Sequence, residues 1–227
     1  MAEMSSHAAE SASRGTTSSL IYNLCGIAAL VLLCAVGVAY LVDDLSRSAR
    51  SPLPSLNDGE PVTQTLSGRT LTIPTKWFRY GEQVRDGFTN QIDLRVLAFS
   101  DTKEARPVDI TLLPRSRART SASLLDAVYL HQFAGDMLGG VPGLVGKAMR
   151  DSTGYAGESV WYDALSPNPF VAKCMEPVED DASPQCVRTV YLASGVAAVY
   201  VFDAALLQSW RQFDAEMERW LSPIGAW

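Results

Sequence analysis

The sequence predicts an α+β domain, a largely antiparallel β-sheet covered by two helices, behind a single N-terminal transmembrane helix. Three observations support this prediction. One uncharged apolar run, residues 20–42, is long enough to cross a bilayer. After residue 66, several short segments alternate apolar and polar residues with the period of two that is typical of a half-buried strand. Two other segments repeat apolar residues every three to four positions, as a helix with one buried face does.

The apolar run, residues 20–42, predicts the transmembrane helix. At 1.5 Å per residue it spans about 34 Å, and a hydrocarbon core is about 30 Å thick. A cleaved signal peptide is the alternative, because Gly37, Val38 and Ala39 form a small-x-small cleavage pattern. The run is longer than the apolar region of such peptides, and Arg14 is the one basic residue before it. An uncleaved signal anchor is therefore favoured.

Two polar segments flank the predicted anchor. Residues 1–19 are rich in Ser, Ala and Thr, which indicates a disordered N-terminal tail. Residues 43–65 are rich in Asp, Ser and Pro, which indicates a flexible linker. The folded domain is expected over residues 66–227, a length typical of one domain.

The cysteines indicate the compartment of the domain. The Lys and Arg counts on either side of the anchor do not favour an outside location for the domain. Cys174 and Cys186, however, are the two cysteines beyond the anchor, a pattern that predicts a disulfide in an oxidising compartment. Two unrelated buried thiols are the alternative. We therefore expect a single-pass protein of the bacterial inner membrane, with residues 20–42 in the lipid bilayer and the C-terminal domain in the periplasm.

The periodicities predict the element order β-β-β-α-β-β-β-β-α. Hairpin connections imply a largely antiparallel sheet, and two helices are available to cover its faces. The last strand is apolar on both faces, so we expect it in the interior of the sheet. The predicted strands are 71–73, 92–98, 108–112, 160–162, 170–175, 187–192 and 196–202, and the predicted helices are 123–137, capped by Ser123 and Asp126, and 206–221.

One short motif carries a resemblance to a known family. Ile73, Pro74, Thr75, Lys76 and Trp77 end an early strand, and a mid-chain helix, antiparallel strands and a closing amphipathic helix follow. This arrangement resembles Mog1/PsbP-like domains over residues 66–222. The cysteine pair and the long 140–157 connection are not part of that pattern. The resemblance implies a domain used for binding and accessory roles rather than for catalysis.

Composition and spacing argue against several kinds of site. A chain with a net charge of −6 is not a general nucleic-acid binder, because phosphate backbones need a basic surface. The two histidines, His7 and His131, are too few for a His-rich metal site. Residues 140–147 fail the glycine and lysine spacing of a phosphate loop, so no nucleotide partner is predicted. We predict no catalytic residue, metal site or cofactor, with an uncharacterised hydrolase as a second alternative.

A local cluster of arginines is the candidate binding surface. Guanidinium groups suit a carboxylate, a phosphate headgroup or an acidic protein. A solvated loop that leads into a helix is the alternative interpretation. We expect an accessory subunit that docks onto a larger integral membrane protein complex, and the alternative is a module that binds an anion or a lipid headgroup. The predicted patch comprises Arg106, Arg115, Arg117, Arg119 and Trp77.

Overall fold

The chain divides into two compact units, residues 1–52 and residues 53–227. The structure is a computed structural model, and it describes the ranges 26–28, 30–39, 60–102, 105–151, 154–177 and 182–227.

In the first unit, residues 26–28 and 30–39 are helical, and their side chains are exposed. Across the ranges that the structure describes, no helix combines the length and the apolarity needed to span a membrane. The predicted tail, residues 1–19, lies outside the described residues. The same holds for parts of the predicted anchor and linker, namely 20–25, 29, 40–42 and 43–59.

The second unit is an α+β fold, as predicted, with eleven strands and two α-helices among its described residues. The strands are β1 (Pro61–Leu66), β2 (Arg69–Pro74), β3 (Gly87–Thr89), β4 (Ile92–Ala98), β5 (Arg106–Pro114), β6 (Phe133–Leu138), β7 (Val145–Met149), β8 (Glu158–Tyr162), β9 (Val171–Met175), β10 (Gln185–Tyr191) and β11 (Val196–Asp203). The α-helices are α1 (Ser121–Ala127) and α2 (Trp210–Leu221). Short 3-10 helices occupy Thr75–Trp77, Gly81–Gln83, Arg115–Arg117, Tyr129–His131 and Ala204–Ser209.

The strands form two sheets. The larger sheet has eight strands in the order β4-β5-β11-β10-β9-β8-β7-β6, and every neighbouring pair is antiparallel. The smaller sheet has the order β2-β1-β3, with β1 and β3 parallel. The prediction for the last strand is confirmed, because β11 lies inside the larger sheet between β5 and β10.

The two helices cover opposite faces of the larger sheet. Successive residues of a strand point to opposite faces, and in β9 Val171 belongs to one hydrophobic cluster while Ala172 belongs to the other. The first cluster contains Leu125 of α1. The second contains the buried stripe of α2 together with side chains of the smaller sheet. The α2 stripe is Phe213, Met217, Trp220 and Leu221, each at most 1% exposed.

The predicted helix over 123–137 is wrong beyond Ala127. Val128 leaves the helical conformation, and a 3-10 turn and strand β6 follow. The apolar spacing of this segment fits a helix, but β6 contains Gly135, which disfavours a helix, and it pairs with β7 along its backbone. The N-cap is also not the predicted pair, because the side chain of Thr120 accepts the hydrogen bond from the Ser123 amide.

Four strands were not predicted: β1, β3, β6 and β7. Residues 61–65, part of the predicted linker, belong to β1, so the fold begins earlier than residue 66. The 140–157 connection contains β7, whose Gly146 pairs with Trp161 of β8. A side chain at Gly146 would place its Cβ 2.7 Å from the Trp161 ring, so glycine is required for this packing.

Candidate functional site

The predicted arginine patch is divided in the structure. Arg115 and Arg117 bound the 3-10 turn that follows β5, and Arg119 lies just before α1. Arg106 is the first residue of β5, a strand of 9 residues. A strand rises about 3.3 Å per residue, so Arg106 lies nearly the whole strand length, about 30 Å, from Arg115. Arg106 is therefore not part of the same surface.

An unpredicted arginine joins the other three. Arg69 Nε donates to the Ser194 carbonyl at 2.9 Å, and Arg115 Nη2 donates to the Leu192 carbonyl at 2.5 Å. Both carbonyls belong to the turn between β10 and β11. Since Arg69 and Arg115 are far apart in sequence, no local pattern indicated that they would meet. We call the surface of Arg69, Arg115, Arg117 and Arg119 the arginine end.

Contacts within the arginine end hold its loops in place. The Arg115 guanidinium lies over the Tyr191 ring at 4.9 Å, a favourable cation–π distance. The Tyr191 hydroxyl donates to the Ala118 carbonyl at 2.8 Å, and Arg117 donates to the Asn90 carbonyl at 3.2 Å. The loops at this end of the sheet are thus joined through side chains.

Within the described ranges, no carboxylate pairs with the arginine end. Ion pairs elsewhere in the described residues use other cations, such as Arg95 with Asp109 and Lys173 with Glu158. None of the four guanidinium groups of the arginine end has a carboxylate within ion-pair distance in the described part of the chain. Three of them donate to neutral carbonyls instead. Guanidinium groups of this kind are suited to bind carboxylates or phosphates.

The prediction that Trp77 belongs to a surface patch is wrong. Trp77 is 1% exposed and packs edge-on against Trp220, with ring centroids 5.1 Å apart. It anchors the turn after β2 in the core. Near the arginine end, the exposed aromatic side chains are Tyr191, at 43%, and Phe88 of β3, at 91%. Neither was singled out from sequence, because exposure of an aromatic residue depends on the strand pairing around it.

The predicted disulfide is confirmed. Cys174 and Cys186 are bonded, and they are directly opposed residues of β9 and β10. Both are buried, at 4% and 0% exposure, in the hydrophobic cluster that also contains the α2 stripe. The disulfide lies within the short stretch over which these two strands are paired.

β9 and β10 separate on one side of the disulfide. Their ladder ends at Lys173 and Val187, although both strands continue. A cavity of about 360 Å³ lies there, and its lining includes Thr120, Ala122, Asn168, Arg188, Tyr191 and Asp214. We call it the β9–β10 cleft. Its one buried charge, Arg188, is paired with Asp214 of α2. Arg188 and Asp214 are 26 residues apart, so no local sequence pattern indicates this pairing.

Two carboxylates at strand ends have local structural roles. Asp163 accepts a hydrogen bond from the Leu165 amide at 3.0 Å, and Asp203 accepts one from the Ala205 amide at 2.8 Å. Both are turn formers. The Asp109 carboxylate, on the sheet face of β5, raises the pKa of Arg95 through a direct hydrogen bond. In the described ranges no group of three or more His, Cys, Asp or Glu side chains is placed to hold a metal ion.

Comparison with known proteins gives one weak structural likeness. No protein-family model matches the chain. No curated protein sequence matches it significantly. A solved structure that it resembles is an immunity protein of the Stenotrophomonas maltophilia type IV secretion system, with 12% identity, a TM-score of 0.48, and coverage of 73% of this chain and 93% of that one. A match of this strength establishes neither a shared fold nor a shared function. The resemblance to Mog1/PsbP-like domains stays a prediction.

Proposed function

We propose that this chain is a membrane-anchored accessory protein of the bacterial envelope, whose domain docks through the arginine end onto an acidic surface of a larger membrane protein complex. One observation carries the proposal. Arginines from two distant segments converge on the β10–β11 turn, and no carboxylate in the described residues pairs with them. An unneutralised cluster of guanidinium groups is suited to recognise carboxylates of a partner.

The proposed compartment follows from the disulfide. A cross-strand disulfide between Cys174 and Cys186 forms and persists in an oxidising environment such as the periplasm. The proposed anchor, residues 20–42, rests on its uncharged sequence.

Anchoring explains how weak contacts become sufficient. A tether confines the domain near the membrane and raises its effective concentration beside a membrane-bound partner to about millimolar. Contacts of exposed charges are individually worth about 1 kcal/mol or less, but confinement compensates for this weakness. Phe88 and Tyr191 add exposed aromatic area at the same end of the domain, and aromatic residues contribute much of the affinity at protein interfaces.

Co-purification from native membranes tests the proposal. The full-length protein, extracted in mild detergent, is expected to elute with a larger membrane assembly. Substituting Arg117→Glu together with Arg119→Glu should reduce this association, because both side chains are exposed and reversal of their charge repels an acidic partner. The matched control is Arg106→Glu, an exposed arginine at the opposite end of β5, which should leave the association unchanged.

The proposal is wrong if the solubilised protein elutes alone in every detergent and salt concentration. It is also wrong if Arg106→Glu disrupts the assembly as strongly as the double substitution does, since net charge rather than the arginine end would then control binding. In the first case, the binding of a small anion or a lipid headgroup becomes the leading function.

A further inference from the structure

The β9–β10 cleft lies where the ladder of the larger sheet is interrupted in its interior. The Cys174–Cys186 disulfide joins the paired part of the two strands, and pairing stops at Lys173 and Val187. β10 continues to Tyr191, and β9 begins at Val171. Extending the register beyond Lys173 and Val187 would place Pro169 opposite Tyr191. The strands part before reaching that position.

Side chains replace the missing ladder bonds at the start of the cleft. The Thr189 amide donates to Ser121 Oγ of α1 at 2.8 Å. The Val171 carbonyl accepts from Arg188 Nη1 at 3.4 Å. Pro169 has no amide hydrogen, so it is unable to donate to Tyr191 as a ladder partner would. Within this chain, Pro169 is therefore unable to complete the ladder at Tyr191.

The main chain of Tyr191 faces this cleft. Along an antiparallel strand, main-chain groups point alternately toward the two neighbouring strands. The Leu192 amide donates to the Val196 carbonyl of β11, whereas the Thr189 amide points away from β11 toward Ser121. The Tyr191 amide therefore also points away from β11. No hydrogen bond within the described residues engages it.

The cleft has the size and chemistry of a peptide site. Its volume of about 360 Å³ lies in the range of ordinary ligand pockets. The Tyr191 amide and carbonyl present the donor and acceptor that one residue of an antiparallel strand requires. The walls add the Asn168 amide, the apolar side chains of Ala122 and Val190, and the half-exposed carboxylate of Asp214. A mixed lining of this kind suits a main chain with short side chains.

We propose that the β9–β10 cleft binds a short extended peptide segment, whose main chain pairs with Tyr191 in the place that Pro169 leaves unfilled. The segment completes the interrupted ladder by β-strand addition. This site adjoins the arginine end, because the Tyr191 ring lies under Arg115, but it uses the main chain of Tyr191 and not the guanidinium groups, so it does not depend on their proposed role. The Arg188–Asp214 ion pair joins β10 to α2 at the wall of the cleft.

Selection from a peptide library tests the site on the full-length protein in detergent. The probe is a library of random heptapeptides, acetylated at the N-terminus and amidated at the C-terminus. Recovered peptides are expected to protect the Tyr191 amide from hydrogen exchange. N-methylation of the contacting peptide amide should weaken binding about tenfold, because it removes one main-chain hydrogen bond and adds a clash.

Matched variants localise the binding. Ala122→Trp fills the cleft from α1 and should abolish binding of the recovered peptides, whereas Ala127→Trp adds the same bulk at an exposed position of that helix and should not. Asn168→Trp fills the cleft from the opposite wall and serves as an independent test if Ala122→Trp does not fold. Failure to recover any binding peptide overturns the proposal. Peptides that bind both cleft-filling variants as tightly as the wild type also overturn it.

Discussion

Arg188 and Asp214 form a two-bond ion pair that joins β10 to α2, with Nε to Oδ1 at 3.1 Å and Nη2 to Oδ2 at 2.7 Å. The two side chains differ in burial, since Arg188 is 7% exposed and Asp214 is 49% exposed. The Arg188 guanidinium also lies over the Phe170 ring at 4.4 Å. The Arg188 guanidinium is therefore buried, whereas the Asp214 carboxylate is accessible to water.

We expect Asp214→Asn to destabilise the protein more than Arg188→Met does. Loss of Asp214 leaves a buried guanidinium without its counter-charge, which we expect to cost about 2 kcal/mol after allowance for the solvent near Asp214. Loss of Arg188 leaves a carboxylate that water can solvate, and Met fills much of the same volume, so the expected cost is about 1 kcal/mol. Urea denaturation of the purified variants measures both values.

The double variant, Arg188→Met with Asp214→Asn, is the control for this ion pair. It should be more stable than Asp214→Asn alone, because the unpaired buried charge is gone. Equal stability of the two single variants would show that the difference in burial has no energetic consequence.

The stripe of α2 gives a second prediction. Trp220 is 1% exposed, contacts Trp77, and donates Nε1 to Glu216 at 3.0 Å. Trp220→Ala should cost about 3–5 kcal/mol, as truncation of a fully buried aromatic residue does. Trp210, in contrast, is only partly buried and donates Nε1 to the Pro142 carbonyl. Trp210→Ala should cost about 2 kcal/mol.

Thermal and urea unfolding of the two tryptophan variants test this order. A larger loss for Trp210→Ala than for Trp220→Ala would contradict the packing described for α2. The apolar repeat of 206–221 predicts a buried stripe, but this spacing does not distinguish the burial of Trp210 from that of Trp220. The difference arises because Trp210 is the first residue of α2 and lies beside the 140–144 loop.

The disulfide gives a third prediction. Cys174 and Cys186 are 12 residues apart, and closing a loop of this size stabilises the fold by about 3 kcal/mol on the chain-entropy estimate. Replacing both cysteines by serine should therefore lower stability by about that amount. Thiol labelling of the unfolded, unreduced protein gives a direct check, since only thiols N-terminal to residue 60 should react. Two reactive thiols in the second unit would contradict the disulfide.

Period-two strands and the stripe of α2 were predictable because one buried face leaves a clear pattern in the sequence. The strand β11 and its interior position followed from Val196 to Phe202 being apolar on both faces. β6 and β7 were not predictable in this way. β6 is an edge strand with a register shift between Phe133 and Met137, and its neighbour contains Gly146, so neither alternates cleanly.

The candidate sites were less predictable than the fold. The sequence grouped Arg106 with Arg115 because they are close along the chain, but the two residues lie at opposite ends of β5. It did not group Arg69 with Arg115, because only the packing of the smaller sheet against the β10–β11 turn brings them together. The β9–β10 cleft forms because the pairing of β9 with β10 ends at Lys173 and Val187. In the sequence, Pro169 is the residue that indicates an incomplete ladder.

Tyr200 combines complete burial with an unpaired hydroxyl. Its ring packs against Phe213 at 5.6 Å, and its hydroxyl has no hydrogen-bond partner within the described residues. Burial raises the pKa of Tyr200 above its ordinary value, and the nearby Asp214 carboxylate raises it further. A buried polar group without a partner reduces stability by about 1–3 kcal/mol.

Tyr200→Phe should therefore raise stability by about 1 kcal/mol at neutral pH, because the ring contacts remain and the unpaired hydroxyl is removed. The gain should grow at alkaline pH. The pKa of Tyr200 is higher in the folded state than in the unfolded state, where it is about 10. Above that pH the tyrosine ionises in the unfolded state first, and this ionisation lowers the free energy of unfolding of the wild type. Below that pH the tyrosine is neutral in both states, and its titration costs no stability. Phe does not ionise, so the variant avoids this loss of stability. Burial also raises the pKa of Tyr129, but this effect is the same in both proteins.

Urea denaturation of Tyr200→Phe and of the wild type, at pH 7 and at a pH of about 11, tests this prediction. A variant less stable than the wild type at neutral pH, or a difference that does not widen with pH, would show that the hydroxyl is hydrogen bonded in solution.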